Sequence, residues 1–227
     1  LRGCELLRMR SAILLAIVSL AGASDPCPDP SNVPGPCTSL IDFGLVVDNS
    51  ASIQGDVPAI DAFLSDFTAR FDTTGAVKFS LVSFGDNASL ITPLTSSTAA
   101  VIASRGDQGG ATNIASALAA SKDSLFDVGT SRAAAAKVML LLSDGDDTVG
   151  GHSAAVQSAA AVKAAGVQLF AIGFGTATAS RLNEIASVPA SSYSFLGTDI
   201  AEVRAQLDTI AAAACTRTTA VCISQSS

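Results

Sequence analysis

Apolar residues recur along the chain in two alternating patterns, one typical of strands and the other of helices. Short apolar runs favour strands, whereas apolar side chains three and four positions apart favour amphipathic helices. The segment 56–71 has the helical spacing, with apolar residues at Ile60, Phe63, Leu64 and Phe67. We predict strands at 40–47, 77–84, 88–94, 138–142, 167–172 and 193–195. We predict helices over 56–71, 95–103, 114–126, 153–165, 180–186 and 199–213.

Strands that alternate with helices in this way predict an α/β fold with a doubly wound, Rossmann-like and mostly parallel sheet of six strands. We expect helices on both faces of the sheet. Residues 138–142 are apolar at every position, which is typical of a parallel strand covered on both faces. The segment 88–94 follows the turn Gly85-Asp86-Asn87 and contains Pro93, which favours an antiparallel strand at the sheet edge.

Composition and charge narrow the classes of function. The chain has 227 residues, of which 48% are hydrophobic and 15% charged, and this composition excludes a disordered protein. Thirteen Lys and Arg against twenty Asp and Glu give a net charge of −7, without any run of basic residues. Nucleic acid and anionic membrane surfaces are therefore disfavoured as partners. His152 is the only histidine of the sequence, which excludes any mechanism that needs two imidazoles.

The beginning of the chain predicts a secretory signal peptide over residues 1–23, with Met9 as a possible true start. Basic residues precede the apolar run 12–20, which ends at the small residues Ala21-Gly22-Ala23. This run is shorter than the roughly 20 residues that a helix needs to span a bilayer. We therefore expect the mature protein to be extracellular, with no membrane insertion. The remaining parts are a Pro-rich linker at 24–37, one domain at 38–215 and a C-terminal tail at 216–227.

Covalent modifications are expected from this extracellular location. Removal of the signal peptide leaves Cys27, Cys37, Cys215 and Cys222, and an even number of cysteines in a secreted chain predicts disulfides. Cys37–Cys215 would join the two ends of the domain, and Cys27–Cys222 would form a second bridge. The local pairing of 27 with 37 and 215 with 222 stays open. Asn87, in the sequon Asn-Ala-Ser at a predicted turn, is a candidate for N-glycosylation.

Oxygen-bearing side chains follow three elements at the sheet edge where doubly wound folds bind ligands. Asp48, Ser50 and Ser52 come at the end of the first strand, Thr112 follows a Gly-rich loop, and Asp144 follows the apolar fourth strand. Mg²⁺ prefers about six oxygen ligands in octahedral geometry, which these side chains and water can provide. Neutral hydroxyls leave the ion electrophilic, so it can bind one more anionic oxygen from another molecule. The pattern predicts an open site for Mg²⁺ or Mn²⁺.

This pattern resembles the metal-ion-dependent adhesion site of von Willebrand factor A domains. The resemblance lies in Asp48-x-Ser50-x-Ser52, in Thr112 after Gly109-Gly110, and in Asp144-Gly145, and it extends over about residues 40–213. It implies that Ser50, Ser52 and Thr112 bind the metal directly, and that Asp48 and Asp144 often act through water. An Asp or Glu carboxylate of a partner protein would supply the remaining ligand. The flanking cysteines are similar to those of extracellular matrix members. The implied function is a secreted, non-catalytic adhesion module, with a matrix protein among its candidate partners.

Two other functions stay open at this point. One is a structural matrix domain whose metal site is never occupied, and the other is a metal-assisted hydrolase. Hydrolysis needs a base or a second metal near the first, and we expect Asp146 and Asp147, the nearest acids, to be solvated loop residues. We also expect His152 to be exposed, and Arg105-Gly106-Asp107 to belong to the loop that positions Thr112 rather than to be an adhesion sequence.

Overall fold

Strands and helices alternate along the protein as the apolar pattern predicts. The computed structural model of the chain describes residues 40–71, 75–102, 105 and 109–224, with the side chains of 102 and 216–224 left out. The strands are β1 Ile41–Asp48, β2 Val77–Phe84, β3 Ala88–Thr95, β4 Ala136–Ser143, β5 Gln168–Gly173 and β6 Ser194–Leu196. The α-helices are α1 Val57–Thr68, α2 Thr98–Ile102, α3 Ile114–Leu125, α4 His152–Ala164, α5 Ala179–Ile185, α6 Ile200–Ala205 and α7 Leu207–Ser224.

The six strands form one sheet in the order β3-β2-β1-β4-β5-β6. β1 pairs in parallel with both β2 and β4, and β5 and β6 continue the parallel sheet beyond β4. β3 runs antiparallel to β2 and lies at the edge of the sheet. The predicted fold class is therefore confirmed. The chain order reverses at β1, so the carboxyl ends of β1 and β4 border the crevice where such folds bind ligands.

The two faces of β1 explain why helices cover both sides of the sheet. The ring of Phe43 stacks on that of Phe79 in β2, with centroids 5.3 Å apart. The ring of Phe67 in α1 packs edge-on against Phe43, with centroids 5.7 Å apart. The next residue, Gly44, points to the opposite face because side chains alternate along a strand. A Cβ atom there would lie 2.4 Å from Ser121 Oγ of α3, so a larger residue would force Ser121 to move. Thus α1 and α3 pack on opposite faces of the same strand.

Two predicted helices differ from the structure by more than a few residues or in their continuity. The helix predicted over 95–103 is only the five residues of α2, because Thr95 pairs with Phe79 as the last residue of β3. The helix predicted over 199–213 is divided into α6 and α7, and α7 continues to Ser224. Neither glycine nor proline interrupts 207–224, so local propensity allows the helix to extend into the predicted tail. In the described part of the chain, no helix has the length and apolar character needed to cross a bilayer.

Lys163 stabilises the C-terminal end of α5 from the last turn of α4. Its Nζ donates to the carbonyl oxygens of Glu184, Ile185 and Ala186 at 3.2, 2.9 and 3.0 Å. These carbonyls have no partner within their own helix end, as is general for the last turn of a helix. Partial burial lowers the pKa of Lys163.

Lys163→Met, which keeps the aliphatic stem, is expected to lower the free energy of unfolding by about 1 kcal/mol because three carbonyls lose a charged donor. Urea denaturation followed by circular dichroism measures this loss. Lys122→Met is the matched control, since Lys122 only approaches the neighbouring exposed Asp123 at 3.6 Å. Equal midpoints for the two variants would contradict the capping role.

Candidate functional site

The carboxyl end of β1 places a buried carboxylate at the crevice. Asp48 is fully buried, and its Oδ1 accepts a hydrogen bond from Ser50 N at 2.9 Å. Its Oδ2 accepts from Ser143 Oγ at 2.6 Å. Burial raises the pKa of the Asp48 carboxyl, the bonds from Ser143 and Ser50 partly oppose this rise, and the charge of Asp144 adds to it. The protein therefore holds an acid here in a position where its negative charge is unfavourable.

Ser50, Ser52 and Asp144 form a continuous chain of hydrogen bonds across the crevice. Ser50 Oγ lies 3.1 Å from Ser52 Oγ, and Ser52 Oγ donates to Asp144 Oδ1 at 3.0 Å. Ser50 is buried, Ser52 is exposed, and the half-buried Asp144 follows β4 directly. Burial also raises the pKa of the Asp144 carboxyl. The structure thus brings four of the five predicted side chains together, although 92 residues separate Ser52 from Asp144.

No basic side chain neutralises these two carboxylates by an ion pair among the residues that the structure describes. Within the same residues there is also no group of three or more His, Cys, Asp or Glu side chains suited to a metal ion. The donors gathered at this edge are instead two carboxylates and several hydroxyls. Such a set of oxygen donors fits a hard divalent cation.

Backbone hydrogen bonds hold the loop that carries Thr112 at the same edge of the sheet as Asp48 and Asp144. Gly110 O accepts from Ala51 N at 3.1 Å, which joins this loop to the segment between Ser50 and Ser52. On the other side, Thr112 N donates to Thr148 Oγ1 at 2.9 Å, and Thr148 N donates to Thr112 O at 2.8 Å. Thr112 is nearly buried and lies between the loops that follow β1 and β4.

The prediction that Asp147 is a solvated loop acid is wrong. Asp147 is only 4% exposed, and its Oδ1 accepts from the backbone amides of residues 149, 150 and 151. Its Oδ2 accepts from Ala115 N at 2.8 Å in the first turn of α3. One carboxylate therefore satisfies an amide in the first turn of α3 and three amides of the loop that leads into α4. Its place shortly before Gly150-Gly151 and a predicted helix is the feature of the sequence that could have indicated a capping role.

Two further residues near this edge are less exposed than predicted. Asp146 is half-buried and pairs with Arg181, with 3.1 Å between Asp146 Oδ2 and the guanidinium. His152 begins α4, and its side chain is only 19% exposed, so the prediction of an exposed residue is wrong. Its Nε2 lies 3.1 Å from Oε2 of Glu184 in α5. Packing of α5 against α4 covers the imidazole, which the local sequence does not reveal.

Arg105 was expected to belong to the loop that positions Thr112, but the sequence did not indicate which groups its side chain contacts. It is 5% exposed, and its guanidinium faces Asp61 and the backbone of Asp48. Because this guanidinium is buried, the tripeptide Arg105-Gly106-Asp107 does not offer its arginine to another protein, and Gly106 and Asp107 lie outside the described residues. A single arginine in a Gly-rich loop gives no local indication of its long-range partners.

Several predictions from the sequence lie outside the described residues. These are the signal peptide, the linker, and the side chains of Cys27, Cys37 and Cys222, so the two disulfide pairings remain predictions. Cys215 is partly buried at the margin of the core. Asn87 is exposed in the turn between β2 and β3, where an attached glycan would meet solvent, and its glycosylation also stays a prediction.

Comparisons with known proteins agree with this architecture. The family profile for the von Willebrand factor type A domain matches residues 42–210. The structure of proximal thread matrix protein 1 from the mussel byssus, described with a zinc-occupied MIDAS motif, is similar at a TM-score of 0.68 and 25% identity. The match covers 80% of this chain and 47% of that one, so the chain spans about half the length of the mussel protein.

Two bacterial pilus proteins share the fold. The pilus adhesin SpaC from Lactobacillus rhamnosus GG matches with a TM-score of 0.62 and 16% identity, over 77% of this chain and 30% of that chain. The vWF domain of the type V pili tip protein Mfa5 from Porphyromonas gingivalis matches with a TM-score of 0.64 and 14% identity, over 77% of this chain and 95% of that chain.

Proposed function

Because the chain belongs to the von Willebrand factor type A domain family, we propose that it is a secreted, non-catalytic module that binds other proteins through a divalent cation. The cation, Mg²⁺ or Mn²⁺, binds an acidic side chain of the partner. The matrix protein with a zinc-occupied MIDAS motif and the pilus adhesin support a role in adhesion. The proposed metal site consists of Asp48, Ser50, Ser52, Thr112 and Asp144.

The observation that carries this proposal is the hydrogen-bonded chain from Ser50 through Ser52 to Asp144. Its oxygen–oxygen distances are 3.1 and 3.0 Å. These three oxygens are close enough together to surround one hard divalent cation, directly or through water, and such cations prefer oxygen ligands of this kind. These hydrogen bonds also join the loop after β1 to the loop after β4, and β1 and β4 are the two strands that border the crevice.

The charges around the site support both the cation and an acidic partner. Burial makes the charges of both Asp48 and Asp144 unfavourable, the charge of Asp144 adds to this effect at Asp48, and a bound cation would compensate both charges. The hydroxyl ligands are neutral, so the ion keeps enough charge to attract a further carboxylate. Without the ion, a protein with a net charge of −7 repels an acidic partner. Binding is therefore expected to require the cation.

The surroundings of the site favour binding over hydrolysis. Asp147 accepts four backbone hydrogen bonds, and Asp146 is paired with Arg181. Neither acid is free to act as a general base beside the proposed metal. These contacts support the non-catalytic role.

Thr112→Val is expected to weaken Mn²⁺ binding at least about tenfold, because the variant keeps the shape of the side chain but lacks the proposed ligand oxygen. Isothermal titration of the folded domain with MnCl₂ measures the affinity. Thr178→Val is the control, since Thr178 is an exposed threonine that precedes α5 and is not a proposed ligand. The metal site is wrong if the wild type binds no Mn²⁺, or if Thr112→Val binds it as tightly as Thr178→Val does.

A surface of carboxymethylated dextran tests the second half of the proposal with a probe of defined chemistry. Wild-type protein is expected to be retained on this surface in Mn²⁺ and released by EDTA, whereas Thr112→Val is not retained. Mn²⁺ binding without retention would contradict the binding of an acidic partner and leave the proposed metal site intact.

A further inference from the structure

Arg105 forms three hydrogen bonds from a nearly buried position. Its side chain is 4% exposed, and Nε donates to Asp61 Oδ1 of α1 at 2.9 Å. One terminal nitrogen donates to the carbonyl oxygen of Asp48 at 3.3 Å, and the other to the carbonyl oxygen of Val57 at 3.1 Å. Burial lowers the pKa of Arg105, although Asp61 and Asp48 partly offset this effect.

The two carbonyl groups that Arg105 binds lie on either side of one segment. Asp48 ends β1, Val57 begins α1, and residues 49–56 between them include Ser50 and Ser52. A planar guanidinium that binds both ends fixes the distance across this segment. The segment has only a short 3₁₀ turn, Ala51–Ile53, as its own secondary structure. Its conformation therefore depends strongly on contacts such as these.

Gly109 and Gly110, which follow Arg105 in the chain, contact the same segment. Gly109 N donates to Asn49 O at 2.9 Å, and Ala51 N donates to Gly110 O at 3.1 Å. Among the described residues of this stretch, Arg105, Gly109 and Gly110 contact the segment 49–56 or its two ends, and Gly110 lies two residues before Thr112. These contacts join the segment with Ser50 and Ser52 to the loop with Thr112.

We propose that Arg105 is a positioning residue that orders these two segments for cation binding, an inference that rests on the proposed metal-binding function. Arg105 is not a ligand, because it carries only donor groups. Its positive charge near Asp48 repels a cation, so the electrostatic effect of Arg105 on binding is opposite to its positioning effect. Replacing Arg105 therefore raises Mn²⁺ affinity if its electrostatic effect dominates and lowers it if its positioning effect dominates.

Titration of Mn²⁺ into Arg105→Met and Arg105→Lys tests this sign. Positioning predicts that both variants bind Mn²⁺ at least about tenfold more weakly, as is typical when a supporting residue of a metal site is lost. A purely electrostatic role predicts tighter binding for Arg105→Met and no change for Arg105→Lys, and either result would overturn the proposal. Arg181→Met is the control, because Arg181 lies at the same edge and pairs with Asp146; its affinity is not expected to fall. If Arg105→Met does not fold, Arg105→Lys alone decides the question.

Hydrogen exchange in EDTA separates this inference from the metal site itself. The amides of Ala51 and Gly109 are expected to exchange faster in Arg105→Lys than in the wild type, because their bonds join the two segments. Faster exchange with unchanged Mn²⁺ affinity would overturn the positioning role and leave the proposed function intact. If the wild type binds no Mn²⁺, both the proposed function and the positioning role of Arg105 are wrong. If exchange is unchanged but Mn²⁺ affinity is weakened, Arg105 does not act by ordering the two segments, and the proposed function stands.

Discussion

Replacing Asp42 with alanine is expected to lower the free energy of unfolding by about 3–5 kcal/mol, because removing one partner of a buried ion pair leaves uncompensated charge. Asp42 is fully buried in β1, at the end of the sheet opposite to the candidate site. It accepts from Arg132 N at 2.9 Å, from Arg132 Nε at 2.8 Å and from Lys137 Nζ at 2.6 Å. Alanine removes every one of these acceptors while both cations stay largely covered.

The shift of the urea denaturation midpoint measures this loss when the m-value is unchanged. Asp66→Ala is the matched control. Asp66 pairs with Arg204, and both side chains are more than a third exposed, so its removal should cost less than about 1 kcal/mol. The double variant Asp42→Ala/Lys137→Met is expected to be less destabilised than Asp42→Ala, because one of the unpaired charges is also removed. If Asp42→Ala and Asp66→Ala unfold at the same urea concentration, the buried ion pairs do not have the stabilising role inferred here.

Asp48→Asn is expected to abolish stabilisation by the cation without destabilising the protein in EDTA. At a free Mn²⁺ concentration of 100 times Kd, the wild type should gain about 2.7 kcal/mol, whereas the variant should gain nothing measurable. In EDTA the variant loses a buried charge whose ionised form is disfavoured, and asparagine retains an oxygen that accepts from Ser50 N. This one substitution would thus show whether Asp48 is a metal ligand or a residue that stabilises the fold.

Thermal unfolding with and without Mn²⁺ measures both effects. Asp123→Asn is the control, because Asp123 is exposed near the end of α3 and should leave the Mn²⁺-dependent shift unchanged. A full Mn²⁺ shift in Asp48→Asn would remove Asp48 from the proposed site. A loss of stability in EDTA similar to that of Asp42→Ala would mean that Asp48 has a structural role instead.

The elements that border the candidate site could be predicted because their sequences report burial locally. Residues 138–142 are apolar throughout, and the strand they predict is the buried β4. Asp144 follows that strand directly, and Asp48 ends β1, so both positions at the sheet edge follow from strand ends and parallel topology. The bounds of helices α2 and α7 were less predictable from the apolar pattern. Strand pairing of Thr95 shortens the predicted helix before α2, and helix propensity extends α7 beyond the last apolar positions of the pattern.

The sequence by itself determined the strand and helix order, the antiparallel edge strand with Pro93, and the oxygen donors at one sheet edge. Only the tertiary structure decided the partners of the buried polar groups, such as Asp147 with Ala115, Arg105 with Asp48, and Asp42 with Arg132. The physical reason is that periodicity depends on the burial of neighbouring residues within one element. A buried charge is instead satisfied by groups that the chain brings together from distant positions, and no local pattern records which groups those are.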